Sequence, residues 1–190
     1  MKLVFATHNQ HKFKEIKALM PDYIELLSLD DIGCKNEIEE TGETIDQNAV
    51  LKVQHVNDNY NYNCFADDTG LEIDELGNEP GVYSARYAGQ EKNDEANIQK
   101  ALKNLEGKTN RNARFKTVIA LIINDQETLF TGICSGKITT QKKGKKGFGY
   151  DPIFQPDDFN KTFAEMTQAE KNKISHRGKA MKQLLDYLSK

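Results

Sequence analysis

The chain opens on an apolar run, residues 3–6, that reads as a buried first strand. A polar stretch follows, Thr7-His8-Asn9-Gln10-His11-Lys12, and then Phe13, Ile16 and Met20 recur on one helical face until Pro21 ends the pattern. Residues 24–29 predict a second strand. Thr44-Ile45-Asp46-Gln47 has the form of a capping box, and Ile45, Ala49, Val53 and Val56 share one side of the helix it would start, which the polar run 57–63 closes. Phe65-Ala66 ends the next apolar run, and Leu71 and Ile73 begin an alternating one. Between them Asp67-Asp68-Thr69-Gly70 predicts a turn joining two strands. Neighbours in an extended chain point to opposite faces, so Asp67 and Asp68 are expected to do different jobs, one holding structure and one facing a cleft.

Residues 77–81, Gly-Asn-Glu-Pro-Gly, carry strong turn chemistry. Asn93 is placed to cap a helix with Ile98, Ala101, Leu102 and Leu105 inside, and Gly107 stops it. Residues 114–123 and 128–138 are the longest β-type runs, and the polar residues 124–127 between them predict a hairpin at the spine of a sheet. Thr167-Gln168-Ala169-Glu170 is a second capping box, followed by a helical stripe of Ile174, Met181, Leu185 and Leu188. His176 lies off that stripe and reads as a non-core histidine; alternatively Ser175 caps a fresh helix whose first turn is His176-Arg177-Gly178.

A length of 190 residues predicts one domain over residues 1–190, or two closely joined lobes of it. A net charge of -3 gives no global electrostatic case for nucleic acid or an anionic membrane. No apolar run approaches the ~20 residues of a membrane span, and the apolar start is too short for a signal peptide, so a cytoplasmic protein is expected. Cys34, Cys64 and Cys134 are widely spaced and odd in number, which predicts small buried residues and no disulfide framework. The histidines lack zinc-site spacing, so any bound metal is expected to be a hard cation held by oxygen.

Four stretches carry candidate chemistry. The strand–polar loop–helix sequence around 7–12 combines free backbone N–H groups with a cation, the recipe for an anion site; Thr7 or Asn9 capping a helix is the plainer reading. Glu37, Glu39 and Glu40 lie close together in an irregular acidic stretch that reads as a solvated charged loop. Lys142-Lys143-Gly144-Lys145-Lys146-Gly147 is an exposed tip or a nucleic-acid patch. In Gly147-Phe148-Gly149-Tyr150, glycines permit close backbone approach and the rings offer a stacking surface, or the stretch is an aromatic turn packed on the core.

Taken in order, Thr7-x-Asn9-x-x-Lys12, Glu39-Glu40-Thr41-Gly42, Asn48-Ala49 with Lys52, Ala66-Asp67-Asp68-Thr69-Gly70-Leu71, Pro80-Gly81, Ser84-Ala85-Arg86-Tyr87, Gly147-Phe148-Gly149-Tyr150-Asp151-Pro152 and Ser175-His176-Arg177 resemble the inosine triphosphate pyrophosphatase family. The resemblance spans nearly the whole chain. It implies an α/β fold, elongated and two-lobed around a cleft, with a central mixed sheet flanked by helices, in a homodimer. It implies Mg²⁺-dependent hydrolysis of the purine nucleoside triphosphates ITP, dITP and XTP to the monophosphate and pyrophosphate. By motif, Asp68 becomes general base and metal ligand, with Glu39 the other ligand. Thr7, His8, Asn9, Gln10, His11, Lys12 and Lys52 take the triphosphate side, and Thr69 is a further substrate-binding residue. Phe148, Gly149, Tyr150, Asp151, Lys171, His176 and Arg177 surround the base. His11, Ile45 and Gln47 depart from the family's usual residues, and Gln47 removes a carboxylate that could tune the metal site.

An exposed Asp with a pKa near ~4 is a poor base at neutral pH, so the water it deprotonates is expected to be metal-bound. The rival readings are a Maf-like nucleotide pyrophosphatase with another base preference and a non-catalytic nucleotide- or RNA-binding module. Asp67, Asp68, Glu39 and Glu40 together weigh against a simple phosphate binder.

Overall fold

The structure, a computed structural model, describes residues 1–189. Its elements in chain order are β1 (Lys2–Phe5), α1 (Gln10–Lys17), β2 (Glu25–Leu27), α2 (Ile45–Tyr60), β3 (Cys64–Ile73), β4 (Pro80–Gly81), α3 (Asp94–Asn104), β5 (Asn112–Ile123), β6 (Gln126–Ile138), β7 (Phe154–Pro156), α4 (Gln168–Ile174) and α5 (His176–Leu188). The fold is α/β, with one mixed sheet in the order β2-β1-β3-β5-β6-β7 and β4 paired to β3. β1 runs parallel to β2 and β3, whereas β3/β4 and β6/β7 are antiparallel.

The local signals act as read. Thr44 and Gln47 close a full capping box at the start of α2, Thr167 and Glu170 do so at α4, and Asn93 caps α3 by accepting from the Ala96 N–H. β5 and β6 are the longest strands and meet at Asn124-Asp125, both at positive φ, as a tight hairpin requires.

Two expectations fail. Residues 67–70 form no turn, because β3 runs unbroken through them. Two adjacent acids in a buried strand are tolerable only when cations reach them, and here Lys12 and Lys52 do, from α1 and α2. His176 is also buried, with its ring stacked on Phe115 at a centroid distance of 4.5 Å. The stripe argument assumed one helix through residue 188. Ser175 instead has an extended ψ of 157° and ends α4, so α5 starts afresh with His176 in its first turn.

The chain divides into two compact units. One comprises Met1–Asp68, Val118–Thr131 and Ala180–Lys190; the other comprises Thr69–Thr117 and Gly132–Lys179. In the first unit Phe5 and Phe65 are registered neighbours on β1 and β3 and stack at 4.7 Å, with Ile16, Leu121 and Leu184 packed in the same core. Full burial of each such side chain is worth about 1.5–3 kcal/mol. The second unit has its own core, in which Phe115, Phe154 and Phe163 pack with Leu71 and Ile153. No helix among the described residues is long and apolar enough to cross a membrane.

Candidate functional site

In the first unit the acids of β3 meet two lysines. Lys52, on α2, is nearly enclosed, and its Nζ donates to the Asp67 carbonyl at 2.7 Å, Glu40 Oε1 at 2.8 Å and Asp68 Oδ1 at 3.1 Å. Lys12, on α1, reaches Asp67 Oδ2 at 3.0 Å. The alternation along β3 thus hands Asp67 to one lysine and Asp68 to the other. Asp68 and Glu40 share the Lys52 ammonium group, and Asp67 pairs with Lys12. Burial, offset by Lys52 and Lys12 and reinforced by Glu40, lifts the Asp68 carboxyl above its ordinary 3.8. Burial opposes the charge on Lys52, but Asp68, Glu40 and Asp67 outweigh it and hold its pKa above the ordinary 10.5. Asp68 is therefore not the exposed carboxylate of ordinary acidity that the sequence suggested; its basicity lies closer to neutral pH.

The 7–12 stretch is held at the start of α1. Asn9 is the cap, its Oδ1 accepting from the N–H groups of His11 (2.9 Å) and Lys12 (3.1 Å), and Thr7 Oγ1 accepts from the Asn9 N–H. His8 Nε2 lies 3.0 Å from the Asn36 carbonyl oxygen, which fixes this segment to the acidic loop; Gln10 and His11 are exposed in the first turn of the helix. Glu39 is exposed on that acidic loop, and its neighbour Glu40 is the residue that reaches Lys52. Gln47 spends its side-chain oxygen on the Glu43 and Thr44 N–H groups, so it serves the helix start.

In the second unit Asp151 organises a compact group. Its Oδ2 accepts from Lys171 Nζ at 2.7 Å and from the Phe148 N–H at 3.0 Å, and both members of the ion pair are buried. Gly147, at φ +78°, lies so close that a Cβ there would fall 1.9 Å from Asp151 Oδ2. Lys171 Nζ and the Arg177 guanidinium lie 5.1 and 5.6 Å from the centre of the Phe148 ring. Arg177 Nη2 donates to Thr69 Oγ1 at 3.5 Å, and Thr69 shares a 2.7 Å hydroxyl contact with the buried Thr117. Ser175 Oγ accepts from the Gly178 N–H and starts α5, which aims His176 and Arg177 from one helical turn. His176 packs against Phe115 and Phe163. Tyr150 is core, its hydroxyl donating to the Ser84 carbonyl at 2.8 Å, and Gly149 donates its N–H to Asp94.

The structure thus brings Asp68, Lys52 and Lys12 together in one unit, and Phe148, Asp151, Lys171, Arg177 and Thr69 in the other. Asp68 and Thr69 are consecutive on β3. Sequence reasoning passed over Thr117 and Asp94, which touch site residues 48 and 55 positions away and carry no motif of their own.

One unit thus carries carboxylates paired with buried or half-buried lysines, and the other an aromatic ring with two cations over it, side-chain types that suit handling of a nucleotide. The Ham1 family model matches residues 3–187, and the chain belongs to that family. It is 63% identical over 190 residues to a dITP/XTP pyrophosphatase of Christiangramia forsetii, covering all of both chains. It is 55% identical over 189 residues to one of Flavobacterium johnsoniae, covering 100% of this chain and 98% of the relative. Among solved structures, the Staphylococcus aureus Ham1 protein superposes with a TM-score of 0.92 at 40% identity, and a HAM1 protein from Coxiella burnetii with 0.92 at 39%, each covering 100% of this chain and 98% of the other.

Proposed function

We propose that the protein hydrolyses non-standard purine nucleoside triphosphates, namely ITP, dITP and XTP, to the monophosphate and pyrophosphate. The Asp68–Lys52–Glu40 arrangement carries the reading, because a buried carboxylate of raised basicity beside an enclosed lysine suits hydrolysis of a polyanionic phosphoanhydride. Asp68 takes the proton of the attacking water. Lys12 and Lys52 neutralise the departing pyrophosphate. Phe148 stacks on the base, and Lys171 and Arg177, which are donors only, face a carbonyl at C6 and reject the amino group of adenine.

Among the described residues no group of three or more His, Cys, Asp or Glu side chains is arranged to hold a metal ion. Mg²⁺ needs no such cage, since it binds through one or two carboxylates plus substrate phosphates, and the carboxylate oxygens of Asp68 and the neighbouring acidic loop are the hard donors that suit it. Asp68 and Glu39 would hold it, and when bound it supplies charge neutralisation of the triphosphate. The family resemblance further supports a homodimer working in the cytoplasm.

Incubation with ITP, dITP, XTP, dUTP and ATP plus Mg²⁺, with both products identified, tests the reading. Monophosphate and pyrophosphate from the 6-oxo purines are expected. Stoichiometric orthophosphate from a preparation free of inorganic pyrophosphatase would overturn it.

A further inference from the structure

Phe148 sits between two glycines at positive φ, Gly147 at +78° and Gly149 at +58°. Glycine leaves a chain its widest conformational freedom, so this is the least intrinsically defined backbone in the candidate site. Its ring nevertheless lies over both Lys171 and Arg177. Two successive N–H groups explain the fixity. The Phe148 N–H goes to Asp151 Oδ2, and the Gly149 N–H goes to Asp94 Oδ2 at 2.6 Å. Asp94 belongs to a different element, the first turn of α3. The next residue, Glu95, holds the other end of the same loop through Lys142 at 2.5 Å. Asp94 is not needed as the helix cap, a role Asn93 fills.

We propose that Asp94 is a positioning residue for base recognition: by accepting the Gly149 N–H it fixes the turn that carries Phe148, and so sets where the purine stacks. The inference rests on the functional reading above and adds a residue that no motif marks. A stack that binds ground state and transition state alike alters KM and leaves kcat. The tether should leave the phosphate side untouched, because that side is built on other residues.

The test compares wild type with Asp94→Ala and Asp94→Asn. Asn keeps an oxygen acceptor but loses the charge that favours a helix N-terminus, so the pair separates the tether from the helix dipole. For Asp94→Ala, amide exchange at Gly149 in the nucleotide-free protein should rise about tenfold, and KM for ITP about tenfold, the scale of one charge-assisted bond discounted for exposure. kcat should stay within about threefold, and the inhibition constant of inorganic tripolyphosphate, which has no base, should not move. Asp94→Asn should restore most of both losses. Unchanged exchange and KM in Asp94→Ala, equal losses in the two variants, or tripolyphosphate inhibition weakening in step with ITP would each overturn the proposal. A wild type that turns over no purine nucleotide overturns the functional reading and the base-positioning role with it. The exchange rate separates that failure from one in which the tether is absent.

Discussion

Replacing Lys52 with Met removes a cation that touches Asp68, Glu40 and the Asp67 carbonyl at once. Met fills most of the stem's volume, so the change is chiefly electrostatic. Without Lys52 the buried Asp68 faces Glu40 with less compensation, and its carboxyl, already raised by burial, is driven to hold a proton in the folded state. The unfolded chain ionises it near its ordinary 3.8. Keeping that proton costs about 1.4 kcal/mol for each pH unit above the ordinary value, so about 4 kcal/mol at pH 7 and about 2 kcal/mol at pH 5. The first figure agrees with the about 3–5 kcal/mol lost when one partner of a buried pair is deleted. The sign is fixed by proton counting. The folded variant binds a proton that the unfolded chain lacks, so its stability falls as pH rises and returns as pH drops. Urea unfolding of metal-free protein at pH 5, 6 and 7 measures the gap between wild type and variant. The gap should narrow by about 2–3 kcal/mol from pH 7 to pH 5. A gap that is constant, or that widens on acidification, would refute the assignment of Lys52 as the group that keeps Asp68 charged.

Asp68→Asn should fold as wild type does and lose about 10²–10⁴-fold in turnover, the usual worth of a positioned base; near-full activity would remove Asp68 from that role. Gly147→Ala should displace Asp151 and unsettle its pair with Lys171, since the new Cβ collides with a carboxylate oxygen at a backbone angle that Ala resists; a melting temperature and an ITP KM both equal to wild type would contradict this. Arg177→Ala should lower kcat/KM for ITP and XTP far more than for ATP, because it removes a donor to the 6-oxo group; equal losses on all three would move Arg177 to the phosphates. Replacing Lys142, Lys143, Lys145 and Lys146 by Ser should change nucleotide KM modestly; RNA binding by wild type that is tight, salt-sensitive and lost in this variant would revive the RNA-binding reading.

What the chain disclosed about itself followed the range of each interaction. Helix starts at Thr44, Asn93 and Thr167 were legible because a cap and its partner lie within four residues. The β5–β6 hairpin was legible for the same reason. Asp67 and Asp68 were misread as a turn because what makes them tolerable in a strand is supplied from 55 and 16 positions away, by Lys12 and Lys52. The burial of His176 was missed because a helical stripe presumes an unbroken axis, and Ser175 breaks it. The motifs named the right neighbourhoods, Lys12 with Asp67–Asp68 and Phe148 with Lys171 and Arg177, yet not the supporting contacts from Glu40, Thr117 and Asp94.

The three free cysteines have a practical consequence. Cys34 and Cys64 lie in one compact unit and Cys134 in the other, each almost completely enclosed. Burial pushes the Cys64 thiol up to about 12 and the Cys134 thiol up to about 11, so neither offers a thiolate to a reagent at neutral pH while its surroundings stay closed. Alkylation at either site then requires the chain around it to open. Labelling the unmodified protein and locating the tag by mass spectrometry would therefore time the breathing of each half separately, and a bound nucleotide should slow whichever clock it braces.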